Sequence, residues 1–522
     1  MIMDFQVARI FSDNMVLQYL KPLNVFGTGK DGTKLTISIT GEEAAAVTAT
    51  VANGRWLAVL PPQPAQESVE LTVTDGKDTV TFTNAAVGAV WLAGGQSNME
   101  YELRNCLTGD ESLEKDSPDV RFYYTQKKCI ADDDFFESER CMGWNTFDNK
   151  ESAKCWSAVG YYFAKELAEE LGVTVGIIGC NWGGTSASAW MDRSYADGET
   201  SIYFEEYDAA IAGKTLEELK KDYRDYQEYH RKWEEKSAEY YSNTPDANWD
   251  GCLEYCGPNK YPGPASPLNP MSPGVLYESM VKRVAPFTMT GVIWYQGESD
   301  DHRPDMYYTL LNQMIKNWRD LWKDELFFVI GQLPMHRWSG EEDRKHWCVV
   351  REAQARVART DRRAALAILT DCGEFNEIHP RNKVLPAHRF FLAAMNGYYD
   401  ADFTAAEGKS TYNPEVFDVQ WNSDSVDIFV STGLDLEIKG GEIRGFELMG
   451  ADGEFTAAAA ELSSRESWNA AEGSAIIHVT GVSEPAAVRY LWTNYTDDIT
   501  LFDSENGIPL PPFKLEKPSY NG

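Results

Sequence analysis

The stretch Val87-Gly88-Ala89-Val90-Trp91-Leu92-Ala93-Gly94-Gly95-Gln96-Ser97-Asn98-Met99-Glu100 decides how the chain is read. Its first seven residues are apolar or small, the pattern of a short strand buried on both faces. Two glycines end it and a serine follows. Glycine lets the backbone turn sharply without a Cβ clash. Ligands of open parallel sheets bind outside the carboxyl ends of strands, so Ser97 stands where a nucleophile would. Taken alone, Gly-Gly-Gln-Ser-Asn is also an ordinary polar turn, and the rest of the chain must decide between the two.

Downstream, strand and helix patterns alternate. Ser157–Leu171 has apolar residues at helical spacing and Gly172 as its stop. Val173–Gly179 reads as a strand and leads into Cys180-Asn181-Trp182-Gly183-Gly184-Thr185-Ser186, a second glycine turn. Thr290–Tyr295 is a strand ending in Gln296-Gly297-Glu298-Ser299-Asp300. Met306–Trp322 is a helix, Leu326–Gln332 a strand, Arg351–Arg359 a helix, and Ala364–Thr370 a strand ending at Asp371. Such alternation predicts a parallel, doubly wound α/β sheet with helices on both faces.

Two β-rich regions flank this body. In residues 1–86, Leu35–Thr40, Ala46–Val51 and Val69–Thr74 alternate, with turns at Asn53-Gly54 and Asp75-Gly76, suggesting a small sandwich. Residues 401–522 carry strand-like Val426–Val430, Ala475–Val479 and Ala487–Trp492. The catalytic region is therefore expected at 87–400. A helical insertion interrupts it at about 200–270, opened by the capping box Thr215-Leu216-Glu217-Glu218. The stripe Leu216, Leu219, Tyr223, Tyr226, His230, Trp233, Ser237 and Tyr240 marks one helix face, expected to pack against the body, with His230 a packed histidine.

Composition narrows the function. A formal net charge of −33 argues against nucleic acid and anionic membrane as partners. Nine scattered cysteines show no paired CxxC spacing, so they read as reduced thiols, with no metal site or cofactor expected. The start Met1–Phe11 has no secretory pattern, and no run of about 18 apolar residues occurs, so a cytoplasmic, non-membrane protein is expected.

Acyl transfer by a serine needs a base. Of the seven histidines, His379 in Glu377-Ile378-His379-Pro380 follows the last body strand and sits beside a carboxylate. His388 lies in a helix-like segment, His302, His336 and His346 lie in loops, and His478 alternates within a strand as a structural residue. The oxyanion needs donors: the N–H groups of Ser97 and Gly183 and the side-chain amide of Gln296 are candidates.

These blocks together resemble the SGNH-type hydrolases, and among them the sialate O-acetylesterase-like carbohydrate esterases. The residues that carry the likeness are Gly95-Gln96-Ser97-Asn98-Met99, Trp182-Gly183-Gly184-Thr185, Trp294-Tyr295-Gln296-Gly297-Glu298-Ser299, Arg351-Glu352-Ala353-Gln354 and Ile378-His379-Pro380-Arg381-Asn382-Lys383. Ile10–Gln18 and Val488–Phe513 extend it to both ends. The resemblance implies a flavodoxin-like sheet and a serine esterase that removes O-acetyl groups from a mono- or oligosaccharide through an acetyl-serine. Ser97 would be the nucleophile, His379 the base, and Ser97 N–H, Gly183 N–H and Gln296 the oxyanion donors. Trp182, Tyr295 and Glu298 are expected to meet the sugar. Many SGNH enzymes carry an aspartate three residues before the histidine. Here that position is Asn376, which leaves Glu377, by side chain or carbonyl, or Asp371 to orient His379. Acetylated xylo- or manno-oligosaccharides are the alternative substrate, and sixteen tryptophans keep a non-catalytic carbohydrate-binding protein as the alternative of another class. The sequence sets no oligomeric state.

Overall fold

The computed structural model describes residues 3–245, 248–399, 411–463 and 473–518. The expected boundary at 400/401 lies outside the described residues. At the centre is a mixed sheet built on one long strand, β1 (Thr79–Gly95). Its first six residues are at least partly open to solvent and its last eleven are buried. The break follows the sequence: Thr79-Val80-Thr81-Phe82-Thr83-Asn84 alternates, whereas Ala85–Gly95 is continuously apolar or glycine. Asn84, at φ 53°, marks the bend. The outer half pairs antiparallel with Gln66–Thr74, and Val16–Gln18 pairs parallel across the middle. The expected boundary at residue 86 thus falls inside one strand, and the N-terminal strands share a core with the body.

The inner half of β1 joins β2 (Val120–Tyr124), β3 (Val175–Asn181), β4 (Gly291–Tyr295), β5 (Phe327–Gln332) and β6 (Ala364–Ile368). Across the sheet the order is β2-β3-β1-β4-β5-β6, and all five pairings are parallel. The sequence reading passes over β2, because Val120-Arg121-Phe122-Tyr123-Tyr124 is short and flanked by irregular chain. The chain builds outward from β1 first toward β2 and β3, then toward β4. β1 therefore ends at the topological switch point, where such sheets take their ligands.

Helices α1 (Ala158–Leu171), α2 (Leu216–Asn243) and α3 (Tyr307–Trp322) form where the apolar spacing predicts them; α4 (His346–Thr360) starts five residues before the expected Arg351, so that His346, read as a loop residue, opens it, and α5 (Val384–Ala394) is the helix-like segment that carries His388. Ser157 caps α1 by accepting from Gly160 N–H, and Gly172 closes it at φ 64°. Both halves of the Thr215–Glu218 capping box are made at the start of α2. The C-terminal region has its own core of Val426, Ile428, Val430, Leu448, Ile477, Val488 and Tyr490. Arg351, 0% exposed, fastens this module to the body. Its guanidinium donates to the carbonyls of Leu333 and Pro334 on one side and of Thr493 and Asn494 on the other.

Candidate active site

Gly95 has φ 135°, and a Cβ there would lie 2.1 Å from the Tyr295 carbonyl oxygen. Only glycine fits this close approach of β1 and β4. Gln96 N–H then donates to the same carbonyl (3.1 Å), and Ser97 begins the short helix Ser97–Glu100. The serine is half-buried at the mouth of the sheet.

His379 reaches it from the loop after β6, with Nε2 2.8 Å from Ser97 Oγ. Two residues 282 positions apart in the chain share a hydrogen bond. Burial first, and the Lys383 ammonium second, hold the imidazole below its ordinary pKa. At neutral pH the ring is uncharged and able to accept a proton.

The loop bearing His379 is fastened from several directions. Glu377 Oε1 accepts the backbone N–H of His379 at 2.7 Å, so its carboxylate braces the main chain. Asn98, next to the serine, donates to Ile378 O (3.0 Å) and to Glu298 Oε1 (2.8 Å), and accepts from Lys383 Nζ (2.6 Å). A buried lysine and a buried glutamate are thereby joined through one amide. Burial lowers the Lys383 pKa to about 8 and raises that of Glu298. Asn98 and Lys383 lie within motif blocks, yet their roles were not legible, because they consist of contacts between strand ends distant in sequence.

The other predicted residues divide. Gly183 lies against the serine: a Cβ on it would be 3.3 Å from Ser97 Cβ. Its N–H donates to a Glu100 carboxylate oxygen, and Glu100 in turn pairs with Lys127. Gln296 is fully buried and its amide nitrogen donates to Asp300 (2.6 Å), Thr185 O (3.1 Å) and Gln96 Oε1 (3.2 Å), while its Oε1 accepts from Tyr307. The side-chain donor implied for the oxyanion is thus spent inside the protein, joining the ends of β1, β3 and β4. Gln354 completes that joint by donating to Gln296 O and accepting from Leu333 N–H. Asp371 is paired with Arg389 at 3.2 Å. Tyr295 is 1% exposed and packs on Phe390, which makes it core. Trp182 is half-buried, its N–H on Gly95 O, and Glu298 lines a cleft that also takes in Gly184.

The remaining histidines have other partners. His388 pairs with Glu166, His346 with Asp301 and His478 with Asp427. His302 contacts Ser299 O, His336 is wedged between Trp338 and Trp347, and His230 stacks on Tyr226 and Trp233. Among the described residues no group of three or more His, Cys, Asp or Glu is placed to hold a metal ion, and no helix is long and apolar enough to cross a membrane.

Residues 266–373 match the family described as carbohydrate esterase, sialic acid-specific acetylesterase. That segment spans β4 to β6 but includes neither Ser97 nor His379. Human sialate O-acetylesterase is 23% identical over 553 aligned positions, covering 98% of this chain and 92% of that protein. The mouse sialate O-acetylesterase is 23% identical over 75% of this chain and 73% of its own length. A crystal structure of a carbohydrate acetylesterase from Xanthomonas citri superposes with TM-score 0.73 at 24% identity, covering 98% of this chain and 100% of that one, and so shares the fold. By the matched segment, the relatives and the fold, the chain is similar to the sialate O-acetylesterase-like carbohydrate esterases, and these likenesses support a carboxylic ester hydrolase.

Proposed function

We propose that the chain removes O-acetyl groups from sugars with Ser97 as nucleophile and His379 as general base. The observation that carries this reading is the 2.8 Å contact between Ser97 Oγ and a half-buried, neutral imidazole. In the first step Oγ attacks the acetyl carbonyl carbon while Nε2 takes the hydroxyl proton. The negative charge on the carbonyl oxygen is met by the N–H groups of Ser97 and Gly183. For Gly183 to serve, the Glu100 carboxylate must turn toward Lys127 and leave its N–H free. The imidazolium then protonates the departing sugar oxygen, leaving acetyl-Ser97. Water, deprotonated by His379, attacks that ester and releases acetate, and the proton returns to Oγ.

The parallel strand pairings, with the serine at the switch point, support an SGNH-type body within this mixed fold. Glu377 positions His379 through the main chain, so the arrangement works as a dyad with a braced base. The nine cysteines, all unpaired, support a reducing compartment such as the cytoplasm. The test is acetate release from acetylated sugars by the Ser97→Ala protein. A fall of about 10³-fold or more with the thermal unfolding curve unchanged is expected. Unaltered turnover would refute the assignment, and glycan binding without release by the wild-type protein would favour a carbohydrate-binding function.

A further inference from the structure

A cleft of about 630 Å³ opens between the body and the helical insertion, and its lining reaches Gly184, the residue after the Gly183 that lies against Ser97. Gly184, Glu298, Tyr203, Tyr207, Tyr261 and Arg303 are among its walls. The size suits a ligand larger than an acetyl group. Gly184 adjoins the candidate oxyanion donor, and Glu298 is bonded to the neighbour of the nucleophile. A sugar lying in this cleft would therefore present an acetyl ester to Ser97.

Tyr261 is the residue this cleft is built around. Half of its surface is exposed, and a Cβ on Gly184 would meet its hydroxyl at 2.3 Å, so the phenol crosses the glycine turn. Its ring is backed by His230 (centroids 6.3 Å apart), which stacks between Tyr226 and Trp233. Gly263 lies directly on the Tyr226 ring. The aromatic stripe of α2 thus packs internally and, in doing so, holds one exposed ring at the rim. A rigid, half-exposed tyrosine offers an apolar face and a polar tip, the combination a pyranose needs.

Charge in the cleft selects among sugars. Besides its tyrosines, the titratable lining groups are Glu206, Glu298, Asp301, His302 and Arg303. The single guanidinium is taken: Arg303 is ion-paired with Glu206 and lies over the Tyr203 ring. Asp301 pairs with His346 outside the lining, and the whole chain carries −33. A sugar carboxylate entering here would meet an acidic wall and would have to displace Glu206 to find a partner. We infer that the cleft is the subsite for the sugar part of the substrate, that Tyr261 is its stacking platform, and that it takes neutral O-acetylated oligosaccharides in preference to acetylated sugar acids. This deepens the esterase reading but makes a separate claim about recognition.

Binding to the Ser97→Ala protein tests it independently of turnover. The probes are an acetylated xylo-oligosaccharide and 9-O-acetylated sialic acid, titrated by calorimetry at low and at high salt. The neutral probe should bind at least about 10-fold tighter at low salt, and only the sialic acid should gain affinity as salt screens the wall. Adding Tyr261→Ala should weaken the neutral probe about 10-fold. In the Ser97 background, that same Tyr261→Ala change should raise KM for the acetylated oligosaccharide by a larger factor than KM for p-nitrophenyl acetate. Tighter binding of the sialic acid overturns the charge argument. Equal loss by Tyr261→Ala on the oligosaccharide and on the small ester overturns the stacking role. If wild type releases no acetate from any ester while these affinities hold, the esterase reading fails and the recognition claim stands.

Discussion

Replacing Lys383 by Met separates what its buried charge does for stability from what it does for the base. Lys383 is 1% exposed, and burial brings its pKa from 10.5 to about 8. That fall corresponds to roughly 3 kcal/mol carried by the charged form at neutral pH. Methionine has similar length and no charge, so this cost disappears. Glu298 is left without its cation, but its carboxyl is already pushed upward by burial and takes up a proton instead. The two effects offset, and Lys383→Met should unfold within about 2 kcal/mol of wild type at pH 7. The sign follows from linkage: the wild-type cost is full below pH 8 and fades as pH rises toward 10.5, so any advantage of the variant shrinks over that interval. Function should respond differently. Asn98 loses its donor, Ile378 loosens, and a displaced His379 is expected to cost about 10²-fold in kcat/KM. His379 is faced by Lys383 and His336, which lower its pKa, and by Glu377 and Glu100, which raise it. Without the Lys383 charge, the acid limb of the kcat/KM profile should move to higher pH, while Lys383→Arg should hold it in place. The assay is a pH profile of ester hydrolysis beside urea unfolding. Destabilisation of 3–5 kcal/mol, the usual result of breaking a stabilising buried pair, or an unmoved acid limb at full activity, would refute the reasoning.

Three further outcomes follow from the same contacts. Gly95→Ala forces a side chain into the left-handed region and against the Tyr295 carbonyl, and should cost about 3 kcal/mol or more in urea unfolding together with nearly all activity. Glu377→Ala should lower kcat about 10-fold at constant KM by freeing the His379 main chain. Glu377→Gln should keep most of that activity but, having lost a negative charge near the ring, shift the acid limb to lower pH, opposite to Lys383→Met. Arg351→Leu leaves four carbonyls, two in the body and two in the C-terminal module, without this donor and should cost about 3 kcal/mol or more, splitting calorimetric unfolding into two transitions with the C-terminal module melting first.

The sequence by itself determined the rhythm of the molecule and the serine and histidine that meet at its mouth. Apolar runs ended by glycine marked β1, β3 and β4, and period and caps marked α1, α2 and α3, because backbone sterics and burial act over a few residues. Ser97 and His379 stood out because each ends or follows such a run and carries unambiguous chemistry. Tertiary structure alone decided the rest. Gln296 looked like a free amide in a turn, yet three strand ends close around it and consume its hydrogens. Tyr295 and Glu298 share one motif, and the fold buries the first in the core while setting the second at a cleft. Asp371 follows a strand as a triad acid might, but Arg389 claims it. Lys383, Asn98 and Arg351 acquire their roles only where segments hundreds of residues apart converge. Local sequence fixes what a residue can donate or accept; which partner takes it depends on long-range packing.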